Sequence, residues 1–178
     1  LAATLKSWAV LRPVCFLENV DDANNFNPLT KGKVKMVIPA GMKMKYVSAG
    51  VDVGKAAANI LASPSKHSGQ VYELATCMHT GLELADILSA ESGTPCTYSE
   101  ALPRLVMRLL IPDLYHMVRF FETQPGGYSA DVAQGRALVG PKAMDATIWF
   151  RYKGQWHNGQ GFGEPDPPPS HAVGSVGI

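Results

Sequence analysis

The most informative part of this chain for its fold is WAVLRPVCFLENV, residues 8–20. Residues 8–11 are a short apolar run that stops at Pro13, which is typical of a buried strand that ends in a loop. In an open α/β sheet, ligands bind at the carboxyl ends of the strands. The stretch therefore predicts a strand end that contacts a ligand, and we expect its partner strands further along the chain.

Strand and helix patterns alternate after this stretch. Two β-type runs, VKMVIP and MKMKYVSA, flank a turn at Gly41, and we expect them to pair as a hairpin. VDVGKAAANILA has apolar residues at helical spacing, with Asp52 placed to cap the first turn. SGQVYELA is a further strand. Residues 8–11 and 71–74 should form the central pair of the sheet, parallel because a helix lies between them.

The second half of the sequence is predicted to be mainly helical. Thr80 and Glu83 form a T-x-x-E capping box ahead of the helix GLELADILSAESG, which Gly93 closes. PCTYS is short enough for an edge strand. Apolar residues recur at helical spacing over residues 100–122 on either side of Pro112, which predicts two helices or one kinked helix. SADVAQGRALVG and KAMDATIWFRYK predict two more short helices.

These patterns together predict an α/β or α+β chain in two parts, of which we take α/β as the fold class. Residues 1–153 form a unit of three to five short strands packed by helices, and an apolar content of 46% is sufficient for a real core. Residues 154–178 are rich in glycine and proline, with three consecutive prolines, so we expect a flexible tail there.

Composition and charge argue against several classes of protein. Sixteen basic and fifteen acidic residues leave a formal charge of +1 without a basic run, so we expect no nucleic-acid partner. No apolar run is long enough for a membrane span, so we expect no membrane partner. The three cysteines are far apart and have no histidines at ligand spacing, which predicts neither a disulfide framework nor a metal site. A cytoplasmic location fits this cysteine usage best.

The usual catalytic motifs, including the P-loop, G-x-S-x-G, H-E-x-x-H and C-x-x-C, are missing from the sequence. GQGFGE in the tail follows no strand and opens no helix, so it does not predict a phosphate loop. Tyr115 and His116 lie off the main apolar stripe of their helix, with Arg119 one turn away. They either orient a ligand in a cavity or belong to a solvated helix face, which is the more common arrangement.

The order of motifs resembles the C-terminal half of the NmrA-like family, the atypical relatives of the short-chain dehydrogenases. That family reads L-R-P-x-x-F-x-E-N at a strand end, V-S-x-x-D-(I/V)-(G/A)-x-A-A at the start of a helix, G-x-x-Y-x-L in a strand, and (L/T)-x-E-(L/I)-A in a further helix. This chain has WAVLRPVCFLENV, KYVSAGVDVGKAAANILASP, SGQVYELA and TGLELADILSAESGTPCTYSEA in that order. The resemblance extends over about residues 5–150.

The resemblance implies the C-terminal, substrate-binding part of an NAD(P)-binding, Rossmann-like fold. In the family, the backbone after Leu-Arg-Pro lies near the nicotinamide, which makes Pro13, Val14 and Phe16 the predicted cofactor contacts. The predicted substrate contacts are Asn19, Phe26, Tyr115 and His116. No catalytic residue is assigned, and no metal ligand.

The family's Gly-rich phosphate loop and its catalytic Tyr and Lys belong to an N-terminal half that has no counterpart in this sequence. The sequence also has no initiator Met and no signal peptide. We therefore expect either the downstream part of a longer protein or a natural truncation. NAD(P) would then bind only when the missing half is supplied.

Three functions follow as alternatives. The first is the substrate-binding half of an NAD(P)H-dependent oxidoreductase that acts on a small, aromatic or polyketide-like molecule. The second is a freestanding, cofactor-independent small-molecule binder, isomerase or cyclase. The third is a redox-sensing regulator without turnover. The expected partners are a small-molecule ligand and either a second copy of the chain or a dinucleotide-binding half.

Overall fold

The computed structural model describes residues 6–21, 32–123 and 128–152. Phe26 and the Gly- and Pro-rich segment 154–178 lie outside the described residues. The described strands are β1 (Ala9–Pro13), β2 (Cys15–Phe16), β3 (Lys33–Met36), β4 (Met44–Val47), β5 (Gln70–Leu74), β6 (Cys77–His79) and β7 (Thr97–Glu100). The described α-helices are α1 (Gly54–Ala62), α2 (Pro64–His67), α3 (Gly81–Ser92), α4 (Arg104–Leu110), α5 (Pro112–Thr123), α6 (Val132–Val139) and α7 (Ala146–Tyr152).

The described strands form three small sheets. β1 and β5 pair in parallel, with Ala9 opposite Gln70 and Pro13 opposite Leu74. β4 lies between β2, which runs parallel to it, and β6, which runs antiparallel. β3 and β7 form the third pair, also parallel. The α/β class is confirmed, but seven described strands exceed the expected three to five, because β2 and β6, with two and three residues, are too short to give a strand pattern of their own.

The predicted parallel pairing of β1 with β5 is confirmed, whereas the predicted hairpin is wrong. β3 pairs with β7, and β4 pairs with β2 and β6. A turn does form between β3 and β4, where the Met42 amide donates to the Pro39 carbonyl at 3.0 Å. Val34 and Met36 on β3 and Tyr46 on β4 are all buried. Both strands therefore lie in the core. There they pair with strands distant in the chain, because a local hairpin would not bury these side chains.

Six of the seven described helices agree with the sequence patterns, whereas α2 forms where a turn is expected. The capping box is present, since the Glu83 amide donates to Thr80 Oγ1 at 3.1 Å and the Thr80 amide donates to Glu83 Oε2 at 2.8 Å. Gly93 ends α3 in the left-handed conformation, with φ at 66°. Two separate helices, α4 and α5, lie on either side of Ile111. None of the helices in the described ranges has both the length and the apolarity needed to cross a bilayer.

The described residues form a core of two hydrophobic clusters. The larger cluster joins the second and third sheets to α3, α4, α5 and α7, and its bulkiest members are Trp149, Tyr46 and Phe150. The smaller cluster lies beside β1 and β5 and includes Val14, Val47, Ala56, Leu74 and Val139.

One face of the β1–β5 pair is covered and the other is not. Leu11 and Leu74 pack into the smaller cluster. On the opposite face, Val10 is 36% exposed and Val71 is 48% exposed. Parallel strands are normally covered on both faces. The prediction of a buried central strand is therefore wrong for the described residues, which leave β1 and β5 as a two-stranded sheet with one open face.

Helix α6 approaches the end of β5 most closely at Gly135. A Cβ atom at this position would lie 1.9 Å from the Ala75 carbonyl oxygen. No side chain fits into that distance, so glycine permits the contact between the helix and the strand end.

Candidate functional site

Two parallel strand pairs end side by side at one edge of the molecule. The ends are Pro13 on β1, Leu74 on β5, Phe16 on β2 and Val47 on β4. The Val14 amide donates to the Leu74 carbonyl at 3.1 Å, and the Thr76 amide donates to the Tyr46 carbonyl at 2.8 Å. The first bond extends the β1–β5 pair, and the second connects the end of β5 to β4 of the second sheet. The two sheets thus meet at their carboxyl ends, where open α/β sheets bind ligands. We take this edge as the candidate site.

The predicted cofactor contacts lie at this edge. Pro13 is exposed, Val14 is buried and Phe16 is partly buried against the smaller cluster. Val14 fixes the local backbone through its bond to β5, while the rings of Pro13 and Phe16 keep exposed surface. The edge therefore has exposed apolar surface at Pro13 and Phe16, and their contact with a cofactor stays a prediction.

The predicted substrate contacts fall on different elements. Asn19 is exposed in the 3₁₀ turn Leu17–Asp21, and its Nδ2 lies 3.9 Å from Cys15 Sγ. Tyr115 on α5 is partly buried against the larger cluster, and His116 beside it is exposed. Their rings contact each other edge to face at 5.6 Å. Asn19 thus lies close in the chain to the cofactor contacts, whereas Tyr115 and His116 belong to a separate helix.

Glu18 binds the start of the helical segment that follows β4. Its carboxylate accepts hydrogen bonds from Ser48 Oγ at 2.8 Å, the Ala49 amide at 2.9 Å and the Gly50 amide at 3.1 Å. A π-helical turn, Ala49–Val53, begins there and continues into α1. The first amides of a helix have no partner within it, and they attract negative charge. Glu18 thus occupies the position that an anionic ligand would take at this helix start.

Asp52 is fully buried and connects three segments. Its Oδ2 accepts from Thr76 Oγ1 at 2.9 Å and from the Ser48 amide at 3.3 Å, and its Oδ1 accepts from the Met144 amide at 3.1 Å. Arg136 Nη1 in turn donates to the Thr76 carbonyl at 3.0 Å. The prediction that Asp52 caps α1 is therefore wrong, because its carboxylate is directed to buried donors that follow β5 and β4 and to the segment before α7.

The thiol and phenol groups close to this edge keep their protons at neutral pH. Burial raises the pKa of the Cys15 thiol to about 11 and the pKa of the Tyr128 phenol to about 12. Burial also raises the pKa of Tyr46 well above its ordinary value. The thiolate is the nucleophilic form of cysteine, so Cys15 is an inert thiol in this structure. These groups can donate hydrogen bonds but do not act as bases.

Sequence reasoning missed Glu18, Thr76 and Arg136 as parts of this edge. Glu18 had a detectable signal, because it is an acidic residue among the apolar residues of the opening stretch. Arg136 had none, since its partner Thr76 is 60 residues away in the chain.

Replacing Glu18 by glutamine should lower the free energy of unfolding by about 2 kcal/mol, because a neutral amide loses the charge-assisted bonds and presents its NH₂ group to backbone donors. Glu83→Gln is the matched control, since a capping box accepts either residue, and we expect a change below about 0.5 kcal/mol. Urea unfolding measures both variants. Equal losses for the two would contradict the role assigned to Glu18.

The sequence pattern that defines the NmrA-like family matches residues 6–145 of this chain. The chain belongs to the NmrA-like family. No curated protein sequence matches it. Among solved structures, NmrA, a negative transcriptional regulator in complex with NAD, is 13% identical with a TM-score of 0.62, over 83% of this chain and 52% of that one.

Two reductases have the same fold as this NmrA-like chain. An NADPH-dependent quinone oxidoreductase from Escherichia coli is 23% identical with a TM-score of 0.58, over 80% of this chain and 53% of that one. Triphenylmethane reductase from Citrobacter sp., complexed with NADP(H), is 16% identical with a TM-score of 0.57, over 80% of this chain and 51% of that one. The NmrA-like chain thus spans about half the length of these structures, and their low identity shows the fold alone.

Proposed function

We propose that this NmrA-like chain is the substrate-binding half of an NAD(P)H-dependent oxidoreductase that acts on a small, aromatic or polyketide-like molecule. The observation that carries the proposal is the edge at which β1, β5, β2 and β4 end, with Pro13 exposed and Phe16 partly buried. Membership of the NmrA-like family supports it. Two of the solved structures with this fold are reductases named with NADPH or NADP(H).

The described residues fit the nicotinamide end of such a cofactor but not its pyrophosphate. A pyrophosphate is held by free amides at a helix start. Within the described residues, the protein's own side chains already bind these amides at four helix starts: Glu18 before α1, Thr80 at α3, Asp131 at α6 and Asp145 at α7. We therefore assign pyrophosphate binding to a separate dinucleotide-binding half, which associates with this one.

The open face of the β1–β5 pair supports such an association. Val10 and Val71 lie opposite each other in the register and leave adjacent apolar surface exposed. Within the described ranges, β1 hydrogen-bonds to β5 alone, so its other edge has unpaired backbone groups. A further strand at that edge would extend the sheet, and helices packed on its open face would cover these valines.

NAD(P)H, when bound, supplies a hydride from its nicotinamide ring. In this proposal Pro13 and Phe16 contact that ring, and the Asn19 amide binds a polar group of the substrate. Glu18 and Asp52 are positioning residues, because they hold the segments that follow β4 and β5 without facing the ligand.

The test compares NADPH binding by the 178-residue chain with binding by a protein expressed from the reading frame extended upstream. Calorimetry should give a Kd weaker than about 1 mM for the chain and a micromolar Kd for the extended protein. The extended protein should also contain a Gly-rich strand–helix unit. Micromolar binding by the 178-residue chain would contradict the proposal, and a frame without that unit would favour a freestanding, cofactor-independent binder.

The extended protein also tests the assignment of the edge. Phe16→Leu keeps an apolar side chain but loses the ring, and we expect roughly a tenfold weaker Kd for NADPH. Phe120→Leu is the control, because Phe120 is an exposed ring on α5, outside the candidate site. Consumption of NADPH with a panel of quinones then separates an oxidoreductase from a regulator, which would bind the dinucleotide without turnover.

A further inference from the structure

The outer side of α4 and α5 carries a concentration of exposed apolar side chains. Twelve large apolar residues in the described ranges are exposed, and half of them lie between positions 105 and 120. These six are 39% to 75% exposed: Leu105, Leu109, Leu110, Ile111, Met117 and Phe120. Single exposed apolar residues are ordinary in soluble proteins, whereas a cluster of this size marks an interaction site. We call these six residues the α4–α5 outer face.

The two helices form an antiparallel hairpin. Arg104, at the start of α4, donates from Nη1 to Oε2 of Glu122, near the end of α5, at 3.1 Å. The inner side of the hairpin is fixed in the larger cluster by Met107, Val118 and Phe121. The outer face is therefore a pre-formed surface, which binds a partner without the cost of ordering the helices first.

We propose that the α4–α5 outer face binds the same face of a second copy of this chain, so that the chain forms a two-fold symmetric dimer. An aromatic side chain has on the order of 150–250 Å² of surface and an aliphatic one somewhat less, so the six residues, which are 39% to 75% exposed, expose roughly 500 Å². A standard interface buries about 800 Å² per partner. The apolar residues thus account for most of such an interface, and the polar residues around them for the rest.

The charged residues beside the α4–α5 outer face favour a second copy of this chain over a partner whose charges all have one sign. Arg108 and Asp113 are both exposed, on either side of the junction between α4 and α5, and neither forms an ion pair with another described residue. A two-fold axis near Ile111 places Arg108 opposite Asp113 of the partner subunit, and Asp113 opposite Arg108 of the partner subunit. Two hairpins packed face to face give a four-helix arrangement, a common and stable packing.

Sedimentation equilibrium of the 178-residue chain from about 1 to 500 µM tests the proposal, and a monomer–dimer equilibrium is the expected result. Leu109→Glu should raise the dimer Kd at least about 100-fold, because it places a charge in the centre of the apolar contact. Leu105→Glu is a second variant with the same expected effect. Leu61→Glu is the matched control: Leu61 on α1 is 76% exposed and Leu109 is 68% exposed, but only Leu109 lies in the outer face.

Thermal unfolding by circular dichroism shows that each variant remains folded, which is expected because all three positions are exposed. The proposal is overturned if the chain stays monomeric over the whole range, if it associates without limit, or if Leu61→Glu weakens the dimer as much as Leu109→Glu. The expected equilibrium does not depend on NAD(P)H, so its failure would leave the proposed oxidoreductase function untouched.

Discussion

Replacing Gly135 by alanine should lower the free energy of unfolding by about 3 kcal/mol. The new Cβ would lie 1.9 Å from the carbonyl oxygen and 3.0 Å from the amide nitrogen of Ala75. Both are backbone atoms, so no side chain can rotate away, and α6 has to move off the end of β5. Alanine is the better helix former by about 1 kcal/mol, which means that the measured loss understates the cost of the clash.

Gly54→Ala is the control for this prediction. Gly54 begins α1 with φ at −61°, and none of the described residues outside its own helix has a heavy atom within 4 Å of the position that a Cβ would take. We expect a gain of about 0.5 kcal/mol, because alanine restricts the unfolded chain and fits the helix. Urea and thermal unfolding measure both variants. A Gly135→Ala protein as stable as the parent would show that α6 and β5 are not in close contact.

Replacing Asp52 by alanine should lower the free energy of unfolding by about 4 kcal/mol and the Tm by roughly 10 °C. The substitution leaves the Ser48 and Met144 amides and the Thr76 hydroxyl without their acceptor. Buried donors that lose their partner keep the full penalty of desolvation. The loss should also loosen the backbone at the ends of β4 and β5, and with it the candidate site.

Asp131→Ala is the matched control for Asp52. Asp131 is exposed and caps α6 with one bond to the Ala133 amide, so its loss should cost about 1 kcal/mol. A double-mutant cycle with Thr76→Val isolates the bond between Thr76 and Asp52. The loss of stability in the double variant should be smaller than the sum of the two single losses, by at least about 0.5 kcal/mol. An Asp52→Ala loss no larger than that of Asp131→Ala would refute the structural role of Asp52.

Six of the seven described helices were predictable from local sequence. The capping box of Thr80 and Glu83, the end of α3 at Gly93 and the break at Pro112 all involve residues within a few positions of one another. The parallel pairing of β1 with β5 was predictable as well, because a strand, a helix and a second strand in sequence have one common arrangement. The strand end at Pro13 was therefore predictable as a candidate site, and its contact with a ligand stays a prediction.

Strand partners and carboxylate partners depended on the tertiary structure. The pattern of β3 and β4 suits a hairpin and a mixed sheet equally well, and only the packing of the larger cluster selects β7 as the partner of β3. Asp52 bonds to Thr76 and Met144, which are 24 and 92 residues away. Local sequence contains the donors and acceptors, but it does not contain the distances between them. Helices could therefore be predicted from neighbouring residues, whereas the bonds that shape the candidate site arise only when distant segments fold together.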